Sequence, residues 1–318
     1  MNEYFKKLAD DLGISAVKLE QALAQITQSL HITLSDIQKI KILKTGMTNK
    51  SFMFSHQTEQ YIMRLSGKGS EKLINRHEES AVYQCLSSLE ICDEVVFFDE
   101  GSGNKLSRYI PNSRVCDPKN WEDVTKSMQL LHKFHQKELK VSHTFDVIKQ
   151  INLYESLWQK SSQYPDYKQT KSNVLSLQNY IEKYKMPKIL CHIDAVSDNF
   201  LFYPDEKHKE NIRLIDWEYA GMQDPHIDIA AFGIYSLYTK EEMDKLINCY
   251  FSGQCSDTIR IKIYCYIAQL GLCWSNWCEY KSSLGVHFGE YSPKQYQYAK
   301  EYYKYAIQKM KDEYDDAI

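Results

Sequence analysis

The chain has 318 residues, a net charge of −3 and a hydrophobic content of 43%, which is enough for two lobes with sizeable cores and unlike a disordered protein. It has no long basic run, which argues against a nucleic-acid or anionic-membrane partner and favours a small-molecule ligand. No apolar run approaches the roughly 20 residues that span a bilayer, and the first residues lack the apolar core of a signal peptide. These two observations lead us to expect a cytoplasmic location. The nine cysteines contain no C-x-x-C pair, so we expect reduced thiols.

The first part of the chain predicts one helical segment and then a sheet. Residues 1 to about 31 carry an apolar stripe at helical spacing on an otherwise polar background. From about Ile37, the runs IQKIKIL, SFMFS and QYIMRLS predict strands, and the last two form a hairpin across HQTE. A helix is predicted from about 70 to 88, followed by strands in EVVFFDE and KLSRYI around the turn GSGN.

After Pro111 the predicted elements are mainly helices, at about 121–139, 145–162, 171–185, 226–238, 240–251, 257–281 and 293–315. The exception is a pair of apolar runs, NFLFY and IRLIDW, which the charged turn PDEKHKE joins into a predicted hairpin. The order of elements predicts an α+β fold of two lobes. We expect an appended helical segment at 1–35, an antiparallel-sheet lobe at 36–110, and a mainly helical lobe with a small embedded hairpin at 111–318.

Polar residues with a recognisable spacing lie at the two ends of this hairpin. The stretch CHIDAVSDNF contains His192, Asp194 and Asn199 in the order H-x-D-x-x-x-x-N. Kinases use this spacing in the catalytic loop, where the Asp accepts the proton of the substrate hydroxyl and the Asn binds Mg²⁺. Asp216 follows the second strand in LIDWE, where a kinase places its main Mg²⁺ carboxylate. Turns rich in Asp and Asn also bond their own backbone, so the first motif has weight only together with the second.

The sheet lobe contains the other groups that phosphoryl transfer needs, in the expected order. The turn KTGMTNKSF includes Gly46, Thr48 and Asn49, which would let backbone N–H groups approach phosphates, although it also reads as an ordinary hairpin turn. Arg64 occupies the place of a phosphate-pairing lysine, and Glu79 in the following helix is its candidate ion-pair partner. Each of these charges alone would be read as a surface residue, so only their order favours a function.

Together these segments resemble the choline kinases of the choline/aminoglycoside kinase-like superfamily, and most of all the bacterial enzymes that supply phosphocholine for surface glycans. The resemblance rests on GMTNKSF, GKGSEKLINR, CHIDAVSDNF, LIDWEY and WSNWCEYKSSLGVHFGEY, from about residue 38 to the C-terminus. It implies a protein-kinase-like fold, ATP and Mg²⁺ as cofactors, Asp194 as catalytic base, and Asn199 and Asp216 as metal ligands. It also implies that Arg64 and Glu79 position the nucleotide, and that the strand LSRYIP, with Arg108, Tyr109 and Ile110, holds the adenine.

The resemblance further implies an aromatic site for a trimethylammonium group. A quaternary ammonium offers no conventional hydrogen-bond donor, so a selective site surrounds it with aromatic faces. The expected members are Tyr219, Trp274, Trp277 and Tyr291, although two tryptophans one helical turn apart also suit a core. The chain departs from the family at Tyr235, where a carboxylate is usual, so Glu241, Glu242 or a more aromatic cage would have to take its place.

Several alternatives stay open at this point. The same fold could act on ethanolamine, an aminoglycoside or another amino alcohol, or it could belong to a binding protein that has lost catalysis. The pair His132 and His135 could ligate a metal but has no third ligand in view, which favours a structural role. We expect Asp228 to bind backbone N–H groups near the catalytic loop and Asp198 to close that loop. The first 35 residues could pack on the sheet lobe or mediate formation of a homodimer.

Overall fold

The computed structural model describes residues 3–43, 49–67, 69–158, 160–205 and 207–315, with side chains as far as residue 312. The helices are α1 (Glu3–Leu12), α2 (Ala16–Leu30), α3 (Arg76–Leu86), α4 (Trp121–His135), α5 (Val147–Ser156), α6 (Tyr167–Ser176), α7 (Gln178–Lys183), α8 (His226–Tyr235), α9 (Lys240–Tyr250), α10 (Asp257–Ser283) and α11 (Tyr291–Asp315). The strands are β1 (Gln38–Ile42), β2 (Asn49–His56), β3 (Glu59–Ser66), β4 (Val95–Phe98), β5 (Lys105–Arg108), β6 (Arg114–Val115), β7 (Ile189–Cys191), β8 (Phe200–Pro204), β9 (Glu210–Leu214) and β10 (Gly221–Gln223).

The chain divides into two compact units. The sheet unit comprises Met1–Arg114 with Phe202–Glu218, and the helical unit comprises Val115–Leu201 with Tyr219–Ile318. The boundary therefore differs from the expected one, because most of the predicted hairpin groups with the sheet. The physical reason is local bonding: Leu214 N donates to Ile91 O at 2.8 Å, and Arg213 Nη1 donates to Cys92 O at 3.2 Å.

The sheet unit is built on a five-stranded antiparallel sheet in the order β1-β2-β3-β5-β4. The central strand β3 pairs with β2 and β5 on its two sides, and Arg64 lies in register with Ser51 of one and Lys105 of the other. Because β3 is bonded along both edges, the backbone that carries Arg64 is firmly placed.

The N-terminal helices pack on this sheet. Gly13, with φ +64°, ends α1, and Ser15 caps α2 by accepting a hydrogen bond from Lys18 N at 3.3 Å, so the predicted single segment is two helices. Their apolar faces share one core with the sheet, formed by Phe5, Leu8, Leu12, Leu19, Leu23, Ile26, Phe52, Phe54, Met63 and Leu65. Of the two roles that the sequence left open for this segment, the structure shows packing on the sheet.

The helical unit surrounds α10, which is buried from Ile261 to Cys278. At Gly271 the helix comes so close to α11 that an added Cβ would lie 2.7 Å from Gln295 O, which explains the glycine. A short antiparallel pair, β7 with β10, was not predicted, and it places Cys191 opposite Gly221 at the start of the catalytic loop. Among the described residues, no helix combines the length and the apolar character needed to cross a membrane.

Several predicted helices are found with shorter bounds, whereas α10 and α11 are each two residues longer than predicted. The helix expected at 70–88 begins only at Arg76, because Asn75 caps it by accepting from His77 N and Glu78 N. The helices expected at about 121–139 and 145–162 end at His135 and Ser156, and the one expected at 171–185 is the pair α6 and α7. These ends depend on capping and local turns, which apolar periodicity does not report.

Candidate active site

The segment after β7 is held by Asp228, which is fully buried in the first turn of α8. Its Oδ2 accepts a hydrogen bond from His192 N at 2.9 Å, and its Oδ1 accepts one from Ile193 N at 2.7 Å. His135 Nε2 lies 3.0 Å from the same Oδ2. The expectation that Asp228 binds backbone N–H groups of this loop is confirmed, and His135 acts as a structural brace.

This bonding fixes an unusual backbone just before Asp194. Ile193 has φ +68°, a left-handed conformation that a β-branched residue adopts only under constraint. After it, Asn199 Nδ2 donates to Asp194 O at 2.9 Å and lies 3.5 Å from Asp194 Oδ2. The amide nitrogen of Asn199 thus faces Asp194, so its Oδ1 is the atom suited to a metal ion.

In the sheet unit, Arg64 lies within a buried cluster of charges. Its Nη2 is 2.6 Å from Glu79 Oε1, and its Nη1 is 3.0 Å from Asp216 Oδ1 and 3.8 Å from Glu218 Oε2. Burial acts to lower the pKa of the Arg64 guanidinium, but the three carboxylates hold it well above its ordinary value. The ion pair between Arg64 and Glu79 is present, and Asp216 joins it.

Two further members of the cluster, Arg76 and Glu218, were not singled out from the sequence. Arg76 Nη1 lies 2.6 Å from Glu79 Oε2 and 3.0 Å from Glu218 Oε2. Burial and then the charge of Asp216 raise the pKa of Glu218, while Arg64 and Arg76 oppose that rise. Two sequence features could have indicated them: Glu218 is the second acid in LIDWE, and Arg76 is the last residue of GKGSEKLINR.

The cluster offers oxygen ligands to a cation. Carboxylate oxygens of Glu79, Asp216 and Glu218 lie within 4.8 Å of one another, and oxygen is the donor that Mg²⁺ prefers. Arginines already pair with all three acids, but the side chain of Asp216 is 34% exposed while that of Glu79 is 0% exposed. Asp216, which has φ +66°, is therefore the carboxylate of this cluster that an ion from solvent can reach.

The other residues predicted to bind the nucleotide are in the stretch KTGMTNKSF and in the segment LSRYIP. Gly46 and Thr48 lie outside the described residues. Asn49 is buried, and its Nδ2 donates to Glu218 Oε2 at 2.9 Å. The strand predicted in LSRYIP ends at Arg108, whose side chain binds Glu59 and Glu94 at the surface. Beyond it, Tyr109 N donates to Gln60 O at 2.9 Å, and Ile110 is half-buried.

Three of the four aromatic residues predicted for the cage form a continuous group in the helical unit. The ring centroids of Tyr219 and Trp274 are 5.2 Å apart, and those of Trp274 and Trp277 are 6.1 Å apart, both edge to face. Tyr154 and Phe288, which the sequence did not indicate, extend the group at 6.4 Å from Trp274 and 5.1 Å from Trp277. Burial raises the pKa of the Tyr154 phenol, and the charge of Asp194 makes a smaller contribution to that rise.

The fourth predicted residue, Tyr291, pairs with Tyr235 at a centroid distance of 6.0 Å. Burial raises the pKa of Tyr291, and Cys278 and then Asp194 make smaller contributions to the rise. The phenol of Tyr235 donates to Asp198 Oδ2 at 3.0 Å. Burial and then Asp198 raise the pKa of Tyr235, so the phenol stays protonated as the donor. Asp198 thus has a partner outside its own loop, in Tyr235 of α8.

The two glutamates considered in place of the missing carboxylate, Glu241 and Glu242, lie in the first turn of α9. Glu242 accepts from Thr239 N at 2.8 Å and completes a capping box at the start of α9. Glu241 is exposed in the same turn. The carboxylate that the structure places beside Tyr235 is Asp198.

A second group with metal-ligand chemistry, formed by His135, Cys191 and Asp228, lies in the helical unit. Both oxygens of Asp228 are already used by the catalytic loop. Burial raises the pKa of the Cys191 thiol well above its ordinary value, which keeps it protonated and unsuited to bind a metal. His132 packs edge to face on Tyr250 at 5.0 Å, so the structural interpretation of both histidines agrees with their surroundings.

Comparison with known proteins identifies the family. Choline/ethanolamine kinase is the family that matches, over residues 40–252. The chain belongs to the choline/ethanolamine kinase family. The kinase is 26% identical to the LicA protein of Haemophilus influenzae over 265 residues, which are 78% of this chain and 95% of LicA.

Solved structures agree with the fold and the reaction. The crystal structure of choline kinase LicA from Streptococcus pneumoniae is similar with a TM-score of 0.76 and 29% identity, over 90% of this chain and 99% of that one. A structure of LicA in complex with AMP is similar with a TM-score of 0.73 and 28% identity, over 89% and 97% of the two chains. The predicted protein-kinase-like fold is confirmed, and this kinase is an enzyme whose family and relatives support phosphorylation of choline with a nucleotide donor.

Proposed function

We propose that this kinase transfers the γ-phosphoryl group of ATP to the hydroxyl of choline and releases phosphocholine and ADP. The observation that carries the choice of acceptor is the aromatic group Tyr219, Trp274 and Trp277, which lies in the same unit as Asp194. Aromatic faces attract a quaternary ammonium through their quadrupoles and require no hydrogen bond from it. A carboxylate next to such a group suits an alcohol that carries a cation two carbons away.

In this proposal Asp194 orients the choline hydroxyl and accepts its proton as the new O–P bond forms and the bond to the ADP oxygen breaks. Phosphoryl transfer has a loose transition state, so an aspartate of ordinary basicity can take the proton late in the reaction. The bonding of Asp228 and Asn199 around Asp194 holds the backbone that carries the carboxylate, which lowers the entropic cost of aligning the hydroxyl.

The donor atoms suit Mg²⁺, with Asp216 and Asn199 as the proposed ligands. Asp216 supplies a partly exposed carboxylate, and Asn199 supplies an amide oxygen whose nitrogen partner already faces Asp194. Bound Mg²⁺ supplies neutralisation of the charge on the phosphates. Arg64, held by Glu79, is proposed to pair with the phosphates of the nucleotide, since its guanidinium stays charged at every relevant pH.

The direct test is Mg²⁺-dependent ADP release by the purified protein with choline, ethanolamine, a panel of aminoglycosides and no acceptor. We expect strong turnover with choline alone. Turnover with a different acceptor would keep the kinase chemistry and reject choline. No turnover with any acceptor, together with no Mg²⁺-dependent nucleotide binding by calorimetry, would support a binding protein with this fold.

We expect Trp274→Ala to raise KM for choline by about 10- to 100-fold, because a desolvated cation–π contact is worth about 2 kcal/mol or more. The KM for ethanolamine should change less, since its primary ammonium can hydrogen-bond to water or carboxylates. Trp274→Phe keeps an aromatic face and should lie between wild type and Trp274→Ala. Trp121→Ala is the matched control, because Trp121 stacks on Tyr238 at 5.4 Å, outside this aromatic group. Equal rises in KM for choline and ethanolamine would contradict the cage.

Asp198 is proposed to supply the counter-charge for the cation, in place of the acid that the family usually has at position 235. Its carboxylate is held by Tyr235, which packs on Tyr291. We expect Asp198→Asn to raise KM for choline by about three- to tenfold, the size of a partly screened contact between charges. The KM for the uncharged isostere 3,3-dimethylbutan-1-ol should stay unchanged. A parallel rise for both alcohols would show that Asp198 shapes the loop without sensing charge.

A further inference from the structure

The N-terminal helices contact a turn that accepts a hydrogen bond from Arg64. These helices precede the family match, which begins at residue 40. The turn is the segment Asp99–Asn104 between β4 and β5. On α2, Gln25 Nε2 donates to Asp99 Oδ2 at 2.8 Å, and Gln25 Oε1 accepts from Asn104 Nδ2 at 2.8 Å. One amide side chain therefore binds both ends of the turn.

The turn is internally rigid. Asp99 Oδ2 accepts from Ser102 Oγ at 2.6 Å, and Asp99 O accepts from Gly103 N at 2.7 Å. The hydroxyl of Ser102 is the main reason why the pKa of Asp99 is lowered, and Gln25 contributes to that effect. Asn104 is fully buried, and the hydrogen bond from its Nδ2 to Gln25 Oε1 connects it to α2. A displacement of Gln25 would therefore be transmitted to the whole turn.

The segment Asp99–Asn104 also contacts the Arg64 cluster. Arg64 Nη2 donates to Gly103 O at 3.2 Å, in addition to its ion pair with Glu79. Gly103 has φ +72°, and an added Cβ would lie 2.3 Å from Arg76 Nε and 2.5 Å from Ser66 Oγ. The backbone of the turn is thus pressed against both arginine-bearing elements, and only glycine fits there.

A second contact from α2 reaches the same strand as Arg64. The ammonium of Lys18 donates to Ser66 O, at the end of β3. Burial lowers the pKa of Lys18, so this contact is made by a partly desolvated group. Helix α2 therefore binds the end of β3 and the turn beside it, the two backbone segments that set where the guanidinium of Arg64 points.

We infer that Gln25 is a positioning residue for nucleotide binding, acting through the turn Asp99–Asn104 on the guanidinium of Arg64. This inference rests on the proposed role of Arg64 in binding the phosphates. It gives the helical segment that precedes the family match a part in the nucleotide site, beyond its share of the core. Gln25 therefore affects binding of the nucleoside triphosphate and not binding of the amino alcohol.

The test is the effect of Gln25→Ala on the two substrates separately. We expect the Kd for ATP with Mg²⁺ by calorimetry, and KM for ATP, to rise about five- to tenfold, the size of one or two net hydrogen bonds. KM for choline should not change. Gln28→Ala on the exposed face of the same helix is the matched control and should leave both values as in wild type. A folded Gln25→Ala protein with unchanged ATP binding would overturn the inference, as would equal rises for both substrates.

A second variant tests the route through Arg64. We expect Arg64→Lys to weaken ATP binding by itself, and Gln25→Ala to add little when Arg64 is already lysine, because the two changes act on one contact. Full additivity of the two effects would overturn the route. If Arg64→Lys leaves ATP binding unchanged, the proposed role of Arg64 fails, which is distinct from a result in which only Gln25→Ala has no effect.

Discussion

Asp194→Asn is expected to lower kcat for choline phosphorylation by about 10²- to 10⁴-fold, the range that a positioned general base supplies. The amide has nearly the same shape but cannot accept the hydroxyl proton. The surrounding loop should persist, because Asn199 donates to the main-chain oxygen of Asp194 and the backbone before it is bonded to Asp228. The measurement is steady-state release of ADP with ATP, Mg²⁺ and choline.

Two controls separate loss of chemistry from loss of structure. Calorimetry should find the nucleotide affinity of Asp194→Asn close to that of wild type, because the proposed phosphate and metal ligands are intact. Asp10→Asn, the same substitution on the exposed face of α1, should keep full activity. Turnover by Asp194→Asn at the wild-type rate would remove Asp194 as the base and, with it, the proposed mechanism.

The second large effect is expected for Arg64→Gln, which removes a cation from the cluster of Glu79, Asp216 and Glu218. Breaking a buried ion pair from one side leaves uncompensated charge and commonly costs about 3–5 kcal/mol of unfolding free energy. We expect a loss of this size at about pH 8 in urea unfolding followed by circular dichroism, together with weaker ATP binding.

The loss should depend on pH in a defined direction. The pKa of Glu218 is already raised in the folded protein, so its proton stabilises the fold at low pH and this contribution is lost as pH rises through the raised pKa. Without Arg64 the rise in pKa becomes larger. The deficit of Arg64→Gln relative to wild type should therefore be greatest at about pH 8 and shrink as pH falls towards the ordinary carboxyl range of about 4–4.5.

Arg108→Gln is the matched stability control. The side chain of Arg108 is 40% exposed and pairs with Glu59 and Glu94 at the surface. Such pairs contribute about 0–1 kcal/mol, so this variant should lose little unfolding free energy and show little dependence on pH. An equal loss for Arg108→Gln and Arg64→Gln would mean that the buried cluster has no special role in stability.

The proposed catalytic groups could be named from the sequence because their spacing is local. His192, Asp194 and Asn199 lie in one loop between two strands, and Asp216 follows the next strand, so order along the chain is enough to propose them. The same holds for Asp228, whose place at the start of a helix indicated a carboxylate that binds backbone N–H groups. The pairings of β2 with β3 and of β4 with β5 join neighbours in sequence, whereas the pairing of β3 with β5 does not and was not predicted.

Other features could not be read in this way, because they join residues far apart in the chain. The pairing of Arg76 with Glu218, the hydrogen bond of Tyr235 to Asp198, and the contact of Gln25 with Asp99 each depend on packing of separate elements. A charge or amide in the sequence carries no mark of its distant partner. The grouping of β9 with the sheet unit is a similar case. It depends on hydrogen bonds from Leu214 and Arg213 to the main-chain oxygens of Ile91 and Cys92, which precede β4.

By itself, the sequence determined the family and the reaction class of this protein, and it named the carboxylates and aromatic residues that we propose for them. The tertiary structure alone decided how these groups are held, through the strained backbone at Ile193, the charge balance around Arg64 and the support of the N-terminal helices. The reason is physical. Reaction chemistry depends on functional groups and their local spacing, whereas orientation and pKa depend on burial and on partners that only folding brings together.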